Sequence, residues 1–212
     1  MCSDFLDIGM QARTLRSSAQ AQPRMMVGID GPGGSGKSTL ATQLVQELGN
    51  AFVVHTDDFY LPSQQRNERT GGEGPLLDLS RLYEQVIRPG ATGSTLRYQR
   101  YDWNRDELAE WIVVPEDACV IVEGVYSLSR ALGNPYTYKI WCRADPAIRL
   151  ERGLQRDGEH ARSRWVDLWM PAEDAYALEE KPECSADLIL DSSSDGGSAR
   201  TFRIVPHRHR SR

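Results

Sequence analysis

Short apolar runs alternate along the chain with segments whose apolar residues recur at helical spacing. Met25–Asp30 is a short apolar run, and Lys37–Leu48 repeats apolar residues every three or four positions before Gly49. Further short apolar runs predict strands at 51–54, 119–123, 138–142 and 186–190. Strands that alternate with helices predict an α/β fold, in which helices cover both faces of a parallel sheet.

The segments between these strands are less regular. Leu79–Ile87 has helical spacing, and Pro89 and Gly90 are predicted to end that helix. Residues 62–75 are polar and glycine-rich, which predicts a loop, and residues 94–114 read as two extended pieces around a turn or a short helix. Pro146, directly after Asp145, opens a longer polar helical region.

Composition excludes several classes of protein. The chain has 212 residues and a formal net charge of −5, whereas general nucleic-acid binding needs a basic surface. It has no apolar run of about 18 residues and no apparent signal peptide, so neither a membrane span nor secretion is expected. The four cysteines form no metal-binding pattern, which favours a reduced, cytoplasmic setting.

The glycine-rich segment after the first strand carries the most specific signal. Residues 31–38 match the pattern G-x-x-x-x-G-K-[ST] in full, between a predicted strand and a predicted helix. Such a loop cradles nucleotide phosphates with its backbone N–H groups, so the alternative of a chance glycine-rich turn is disfavoured. The predicted nucleotide-binding residues are Gly31, Gly33, Gly34, Ser35, Gly36, Lys37, Ser38 and Thr39.

Acidic residues follow two of the predicted strands at the same edge of the sheet. Asp57 could accept the proton of a substrate hydroxyl or support Mg²⁺, and Asp58 could share that task. The alternative for Asp57 is a solvated carboxylate at a strand end. Glu123 ends an apolar strand, where Mg²⁺, or otherwise a lysine or arginine, would compensate its charge. Ser38, Asp57 and Glu123 are therefore the predicted magnesium residues.

Three arginines are spaced along one face of the late helical region. Arg149, Arg152 and Arg156 could clamp phosphates, although on spacing alone a solvated face paired with Glu151 and Asp157 is the better interpretation. Tyr60, Tyr98, Tyr101 and Trp103 could line a substrate pocket or fill the core, and the sequence does not separate the two. A structural or surface role is predicted for His55.

Several motifs, in this order, resemble the uridine kinase-like family of P-loop kinases. The resemblance implies a P-loop NTPase-type three-layer sandwich with a five-stranded parallel sheet, a small β-hairpin on the substrate side and a helical lid. It also implies that Asp57 is the catalytic base, that Tyr101 contacts the substrate, that Glu123 serves magnesium and that the arginine row belongs to the lid. The similar segments are Ile29–Thr39, Asp57–Tyr60, Tyr101–Trp103, Val122–Gly124, Arg149–Asp157 and Ala186–Ile189.

The chain also departs from this family. Asp106 and Leu108 stand where uridine kinases carry a histidine and an arginine, and the histidine contributes to base recognition. Leu76 stands where the family has an acidic residue after a proline, and the stretch 159–164 differs as well. The resemblance therefore carries the chemistry over better than the identity of the acceptor.

Together these observations predict ATP- and Mg²⁺-dependent phosphoryl transfer to a hydroxyl of a small molecule. Catalytic roles are predicted for Asp57, Lys37, Arg152 and Arg156, and substrate contacts for Asp58, Tyr60, Tyr101 and Arg149. The alternatives are a nucleoside monophosphate kinase or other small-metabolite kinase on the same fold and, in another class, a nucleotide-dependent switch or binding module. Neither nucleic acid nor a membrane is expected as a partner, and homo-oligomers are left open.

The predicted organisation is a single kinase domain with short flanking segments. Residues 1–23 form an N-terminal extension, and 24–192 the domain, with a substrate-side insertion at about 62–114 and a lid at about 149–165. Residues 193–212 are predicted to be a C-terminal strand or a flexible basic tail.

Overall fold

A computed structural model describes residues 5–18, 23–68, 76–193 and 201–206. The strands are β1 (Met26–Asp30), β2 (Ala51–His55), β3 (Leu96–Asp102), β4 (Glu107–Val114), β5 (Cys119–Glu123), β6 (Tyr138–Arg143), β7 (Leu188–Asp191) and β8 (Arg203–Val205). The α-helices are α1 (Ile8–Ser18), α2 (Lys37–Leu48), α3 (Ser63–Glu68), α4 (Leu79–Leu82), α5 (Arg88–Thr92), α6 (Pro146–Asp157), α7 (Arg162–Arg164) and α8 (Met170–Glu180). Two π-helical turns, Tyr83–Ile87 and Trp165–Trp169, join α4 to α5 and α7 to α8.

The main sheet has the strand order β2-β5-β1-β6-β7-β8. The first five strands in this order run parallel, which confirms the predicted five-stranded parallel sheet. The sixth strand, β8, is antiparallel to β7, with Ile189 opposite Val205. All residues of β1 and β5 are buried because both strands lie inside the sheet with helices on either face, and this explains their unbroken apolar sequences.

The helical layers bury a hydrophobic cluster on each face of the sheet. One cluster joins the helical segment 79–92 and the β3–β4 hairpin to the sheet, around Phe59, Leu82 and Val122. The other lies under α1 and α2, where Leu15 of α1 is buried. Residues 8–18 of the predicted N-terminal extension thus pack into the core as a helix.

The substrate-side segment differs in two places from the sequence-based interpretation. The β3–β4 hairpin is present as expected, but part of the predicted loop 62–75 is the helix α3, and residues 69–75 lie outside the described ranges. The Asp106 carboxylate accepts the Ser63 N–H and so satisfies a donor at the start of α3. The helix predicted to end at Pro89 continues to Thr92, after a π-turn in which the Arg88 N–H reaches the Tyr83 carbonyl.

Two close backbone approaches bring the carboxyl ends of the strands together. Gly31 has φ +142°, and a Cβ there would lie 1.9 Å from the Cys142 carbonyl oxygen. Gly124 has φ +138°, and a Cβ there would lie 1.8 Å from Thr56 Oγ1. Only glycine fits at either position, so the loop after β1 lies directly against β6, and the segment after β5 lies directly against Thr56, which follows β2. In the described ranges, no helix has the length and apolar character needed to cross a membrane.

The burial of α1 leads to a stability prediction. Leu15 is 1% exposed, whereas Met10 on the same helix is 56% exposed. We expect Leu15→Ala to lower the free energy of unfolding by about 2–5 kcal/mol because it removes buried methyl groups and leaves a cavity. Met10→Ala should change it by less than about 0.5 kcal/mol. Urea titration followed by circular dichroism would measure both, and equal effects would contradict the packing of α1.

Candidate active site

The glycine-rich loop between β1 and α2 forms a cradle of backbone groups. Gly34 and Gly36 have φ of +75° and +88°, in the left-handed region that glycine tolerates. Among the residues that the structure describes, no side chain caps the start of α2, and the buried Ser35 Oγ has no hydrogen-bond partner. The first N–H groups of α2 are therefore directed into the loop. The Lys37 ammonium donates to the Pro32 carbonyl at 3.0 Å. Uncapped donors around a lysine fit the phosphates of a nucleotide.

A buried carboxylate holds this loop from below. Asp30 Oδ1 accepts the Gly31 N–H at 2.6 Å, and Oδ2 accepts the Leu128 N–H at 2.8 Å and the Tyr176 O–H at 2.6 Å. Burial raises the pKa of Asp30 from 3.8 to about 6, although these donors and Lys37 favour the charged form. No pattern in the sequence indicates this role, because Asp30 reads simply as the last residue of the strand.

Two of the predicted lid arginines contact the loop from the outside. Arg149 is buried, and its Nε donates to the Gly33 carbonyl at 3.1 Å. Arg152 Nη1 donates to the Gly34 carbonyl at 3.1 Å and to Ser192 Oγ at 2.8 Å. Arg149 therefore lies against the phosphate loop in this structure, and its predicted contact with the acceptor stays a prediction, as does the catalytic role of Arg152.

The predicted magnesium residues Ser38 and Glu123 lie within hydrogen-bond distance of each other. Ser38 Oγ donates to Glu123 Oε1 at 3.1 Å, and His55 Nδ1 lies 2.5 Å from the same oxygen. Burial opposes ionisation of Glu123, but the hydrogen bond from His55 and the charge of Lys37 outweigh it and lower the pKa of Glu123. His55, which was predicted to have a structural or surface role, therefore contacts the candidate metal site. Among the described residues, no group of three or more histidine, cysteine or acidic side chains could hold a metal ion by itself.

Asp57 lies in the same electrostatic environment as the loop lysine and the third arginine. Asp57 is an exposed residue, but the protein atoms around its carboxylate reduce the hydration of that group. This desolvation, together with the negative charge of Glu123, raises the pKa of Asp57. Lys37 and Arg156 act in the opposite direction, which shows that both cations are near Asp57. The structure thus brings four sequence-predicted residues together beyond the loop: Lys37, Asp57, Glu123 and Arg156.

Arg81, which the sequence did not indicate, holds Asp58 and Phe59 in place. Tyr98 O–H donates to Asp58 Oδ2 at 3.1 Å. Arg81 on α4 donates to the carbonyls of Gln99 at 2.5 Å and Asp58 at 3.1 Å, and its guanidinium lies 4.7 Å from the centre of the Phe59 ring. Arg81 therefore fixes the turn that carries the two aspartates to the hairpin.

Tyr60, Tyr101 and Trp103 form an aromatic cluster at the end of the hairpin. The Tyr60 and Trp103 ring centroids are 4.4 Å apart, and the Arg66 guanidinium lies 5.6–5.7 Å from all three rings. Tyr101 is 1% exposed, and its O–H donates to Asp106 at 2.6 Å. This contact uses the Tyr101 hydroxyl within the protein, while the predicted contact of Tyr101 with a substrate remains a prediction.

Glu173 on α8 is a further functional candidate that the sequence did not indicate. Its Oε2 accepts the Gly33 N–H of the loop at 3.0 Å and an Arg149 N–H at 2.8 Å. No spacing rule links Glu173 to a loop 140 residues earlier, so no local pattern could have identified it.

Comparison with known proteins places this site in a family. The family model described as "Phosphoribulokinase / Uridine kinase family" matches residues 26–168, which include the loop, both aspartates, Glu123 and the arginine row. The chain belongs to this family. It is a kinase that phosphorylates a small molecule.

Individual proteins are similar to this chain in sequence or in fold. A uridine kinase from Staphylococcus aureus (strain JH9) is 26% identical over 189 residues, which cover 82% of this chain and 88% of that protein. The solved structure of a possible uridine kinase from Bacillus stearothermophilus has a TM-score of 0.68 and 25% identity, and the match covers 86% of this chain and 96% of that one. A D-glycerate 3-kinase from Cryptococcus neoformans shares the fold at 16% identity, with a TM-score of 0.53 and coverage of 88% and 92%.

The raised pKa of Asp30 leads to a prediction for this family member. A carboxyl group whose pKa is higher in the folded state contributes stability below the unfolded value of 3.8, and this contribution is lost as the pH rises through about 6. The variant Asp30→Asn has no titrating group at this position. Between about pH 4 and about pH 7, the unchanged protein should therefore lose on the order of 2–3 kcal/mol of stability relative to Asp30→Asn.

The difference between the two proteins is the quantity to measure, because it cancels the titration of the other acidic groups. Urea unfolding of both proteins at several pH values would provide it. Stability curves that run parallel over this pH range would contradict the burial of a titrating Asp30.

Proposed function

We propose that this kinase uses ATP with Mg²⁺ and that Asp57 acts as the general base toward the acceptor hydroxyl. The observation that carries the proposal is the electrostatic cluster beyond the loop, in which Asp57 lies near Glu123, Lys37 and Arg156. A general base needs a carboxylate near the transferred phosphoryl group with a pKa toward the working range. The pKa of Asp57 is raised in that direction.

The loop and its neighbours are suited to hold the nucleotide and its metal ion. Lys37 and the uncapped N–H groups of α2 would bind phosphate oxygens, and Ser38 and Glu123 would face Mg²⁺. Bound ATP would supply the phosphoryl group, and Mg²⁺ would neutralise charge on its phosphates. His55 would orient the Glu123 carboxylate through the contact at 2.5 Å.

Of the three predicted lid arginines, Arg156 is the one that we assign to the reacting groups. Its side chain is 65% exposed and pairs with Asp157 at 2.7 Å, so it can reorganise at low cost. Arg149 and Arg152 bond to loop carbonyls and would instead set the shape of the loop. A guanidinium above the loop would stabilise negative charge that builds up during transfer.

The acceptor would lie between Asp57 and the aromatic cluster, against Asp58 and Tyr60. The Tyr60 phenol is close enough to Asp57, Glu173 and Arg66 for their charges to affect its ionisation. Uridine kinase is the activity named for the Staphylococcus aureus relative, and we extend only its general chemistry, a hydroxyl acceptor, to this chain.

The base assignment predicts the behaviour of Asp57→Asn. ADP release from ATP·Mg²⁺ would first be measured with nucleosides, nucleoside monophosphates, pantothenate and nicotinamide riboside, with Lys37→Ala as the blank. With the acceptor that this screen identifies, Asp57→Asn should lower kcat by about 10²–10⁴-fold because no group then accepts the hydroxyl proton. The ATP affinity of the variant should stay within a few fold, and Asp58→Asn should lower kcat much less.

Two other outcomes would contradict this proposal. An acceptor with a phosphate group that tolerates Asp57→Asn would indicate a nucleoside monophosphate kinase, since an ionised phosphate needs no base. Slow hydrolysis without stimulation by any acceptor, abolished in Lys37→Ala, would favour a nucleotide-dependent switch.

A further inference from the structure

Helix α8 presents three polar side chains to the phosphate loop and its supports. Glu173 accepts the Gly33 N–H, Tyr176 donates to Asp30, and Glu180 accepts the Ser129 hydroxyl and the Arg130 N–H. These residues are three and four positions apart, so they lie on one face of the helix. Through this face, α8 packs against the loop at Gly33 and against the end of β1 at Asp30.

Glu173 and Arg149 bind the backbone of a single residue of the phosphate loop, Gly33. Glu173 Oε2 accepts the Gly33 N–H at 3.0 Å, Arg149 Nε donates to the Gly33 carbonyl at 3.1 Å, and the two side chains pair at 2.8 Å. Both side chains are shielded, with exposed fractions of 11% for Glu173 and 4% for Arg149. A Cβ on Gly33 would lie 3.0 Å from Glu173 Oε1, so the carboxylate rests directly on the loop.

The Glu173 carboxylate also lies near the loop lysine. Burial raises the pKa of Glu173, and the charge of Lys37 is the strongest influence in the opposite direction, ahead of Arg149. Lys37 is the residue that serves the β- and γ-phosphates in this type of loop. The Glu173 carboxylate and the terminal phosphates of a bound nucleotide would therefore both interact with Lys37 and both lie against the phosphate loop.

We infer that Glu173 is an internal anion of the phosphate loop, which opposes the terminal phosphate of ATP and thereby couples helix α8 to nucleotide binding. The inference rests on the proposed nucleotide site but requires no knowledge of the acceptor. Two negative charges at one loop repel each other, and in a shielded site that repulsion is stronger than in water. Binding of ATP therefore weakens the contact between Glu173 and Gly33 and loosens the first turn of α8.

The test compares Glu173→Gln with the unchanged protein in calorimetric titrations with ATP·Mg²⁺ and ADP·Mg²⁺. The glutamine keeps the size and an acceptor oxygen for the Gly33 N–H but removes the charge. We expect the Kd for ATP to fall by about three- to tenfold, as a lost repulsion of about 0.7–1.4 kcal/mol implies. The Kd for ADP should fall less, because ADP lacks the γ-phosphate.

Asp174→Asn is the matched control. Asp174 also pairs with Arg149, at 3.3 Å, but its side chain is 64% exposed and, within the described residues, it makes no hydrogen bond or ion pair with the loop. The Kd for ATP should therefore change by less than about twofold. A Kd for ATP that is unchanged or higher in Glu173→Gln would overturn the inference, since Glu173 would then only shape the loop. Failure of the unchanged protein to bind ATP would instead remove the proposed function.

A second measurement keeps the inference testable should Glu173→Gln fold poorly. Amide hydrogen exchange of the unchanged protein would be followed at residues 170–180, with and without ATP·Mg²⁺. We expect faster exchange in the first turn of α8 when ATP is bound, and less change with ADP. Slower or unchanged exchange with ATP would overturn the inference.

Discussion

The buried carboxylate of Asp30 is the contact on which the arrangement of the site depends. An ionised carboxylate can only accept hydrogen bonds, so Gly31, Leu128 and Tyr176 must all direct donors toward it. These donors belong to the phosphate loop, to the segment after β5 and to α8. Loss of any one of them would leave a charged group under-solvated in the interior, which is costly. One side chain thus fixes the loop from below and leaves its upper face free for phosphates.

A loop fixed in this way determines what the arginine row can do. Arg149 and Arg152 contact successive loop carbonyls, those of Gly33 and Gly34, because α6 lies along the outside of the loop. Arg156 is one turn farther along α6, beyond the loop, and so reaches the neighbourhood of Asp57. The same helical spacing therefore gives two arginines that shape the loop and one that faces the acidic residues. Spacing in the sequence shows that the three share a face but does not show what that face meets.

Features that depend on local sequence were predictable, and contacts between distant segments were not. The bounds of α2 and β5 match the prediction, because strand burial and helical spacing are written into consecutive residues. The contact of His55 with Glu123 joins residues 68 positions apart, and that of Glu173 with Gly33 joins residues 140 apart. Helix α3 was missed for the same reason: the Asp106 carboxylate at its start comes from the hairpin, 43 residues after Ser63.

The acceptor side shows how such distant contacts limit a resemblance. Tyr101 lies in a segment that resembles a family motif, yet Asp106 accepts its hydroxyl, and Arg66 covers the neighbouring rings. The aromatic cluster is thus held together by its own contacts and forms a preorganised wall. In the described part of the chain, the Tyr60 hydroxyl has no hydrogen-bond partner, although it lies near Asp57. The motif therefore indicates where Tyr101 lies in the hairpin, while the contact of its hydroxyl with Asp106 is seen only in the structure.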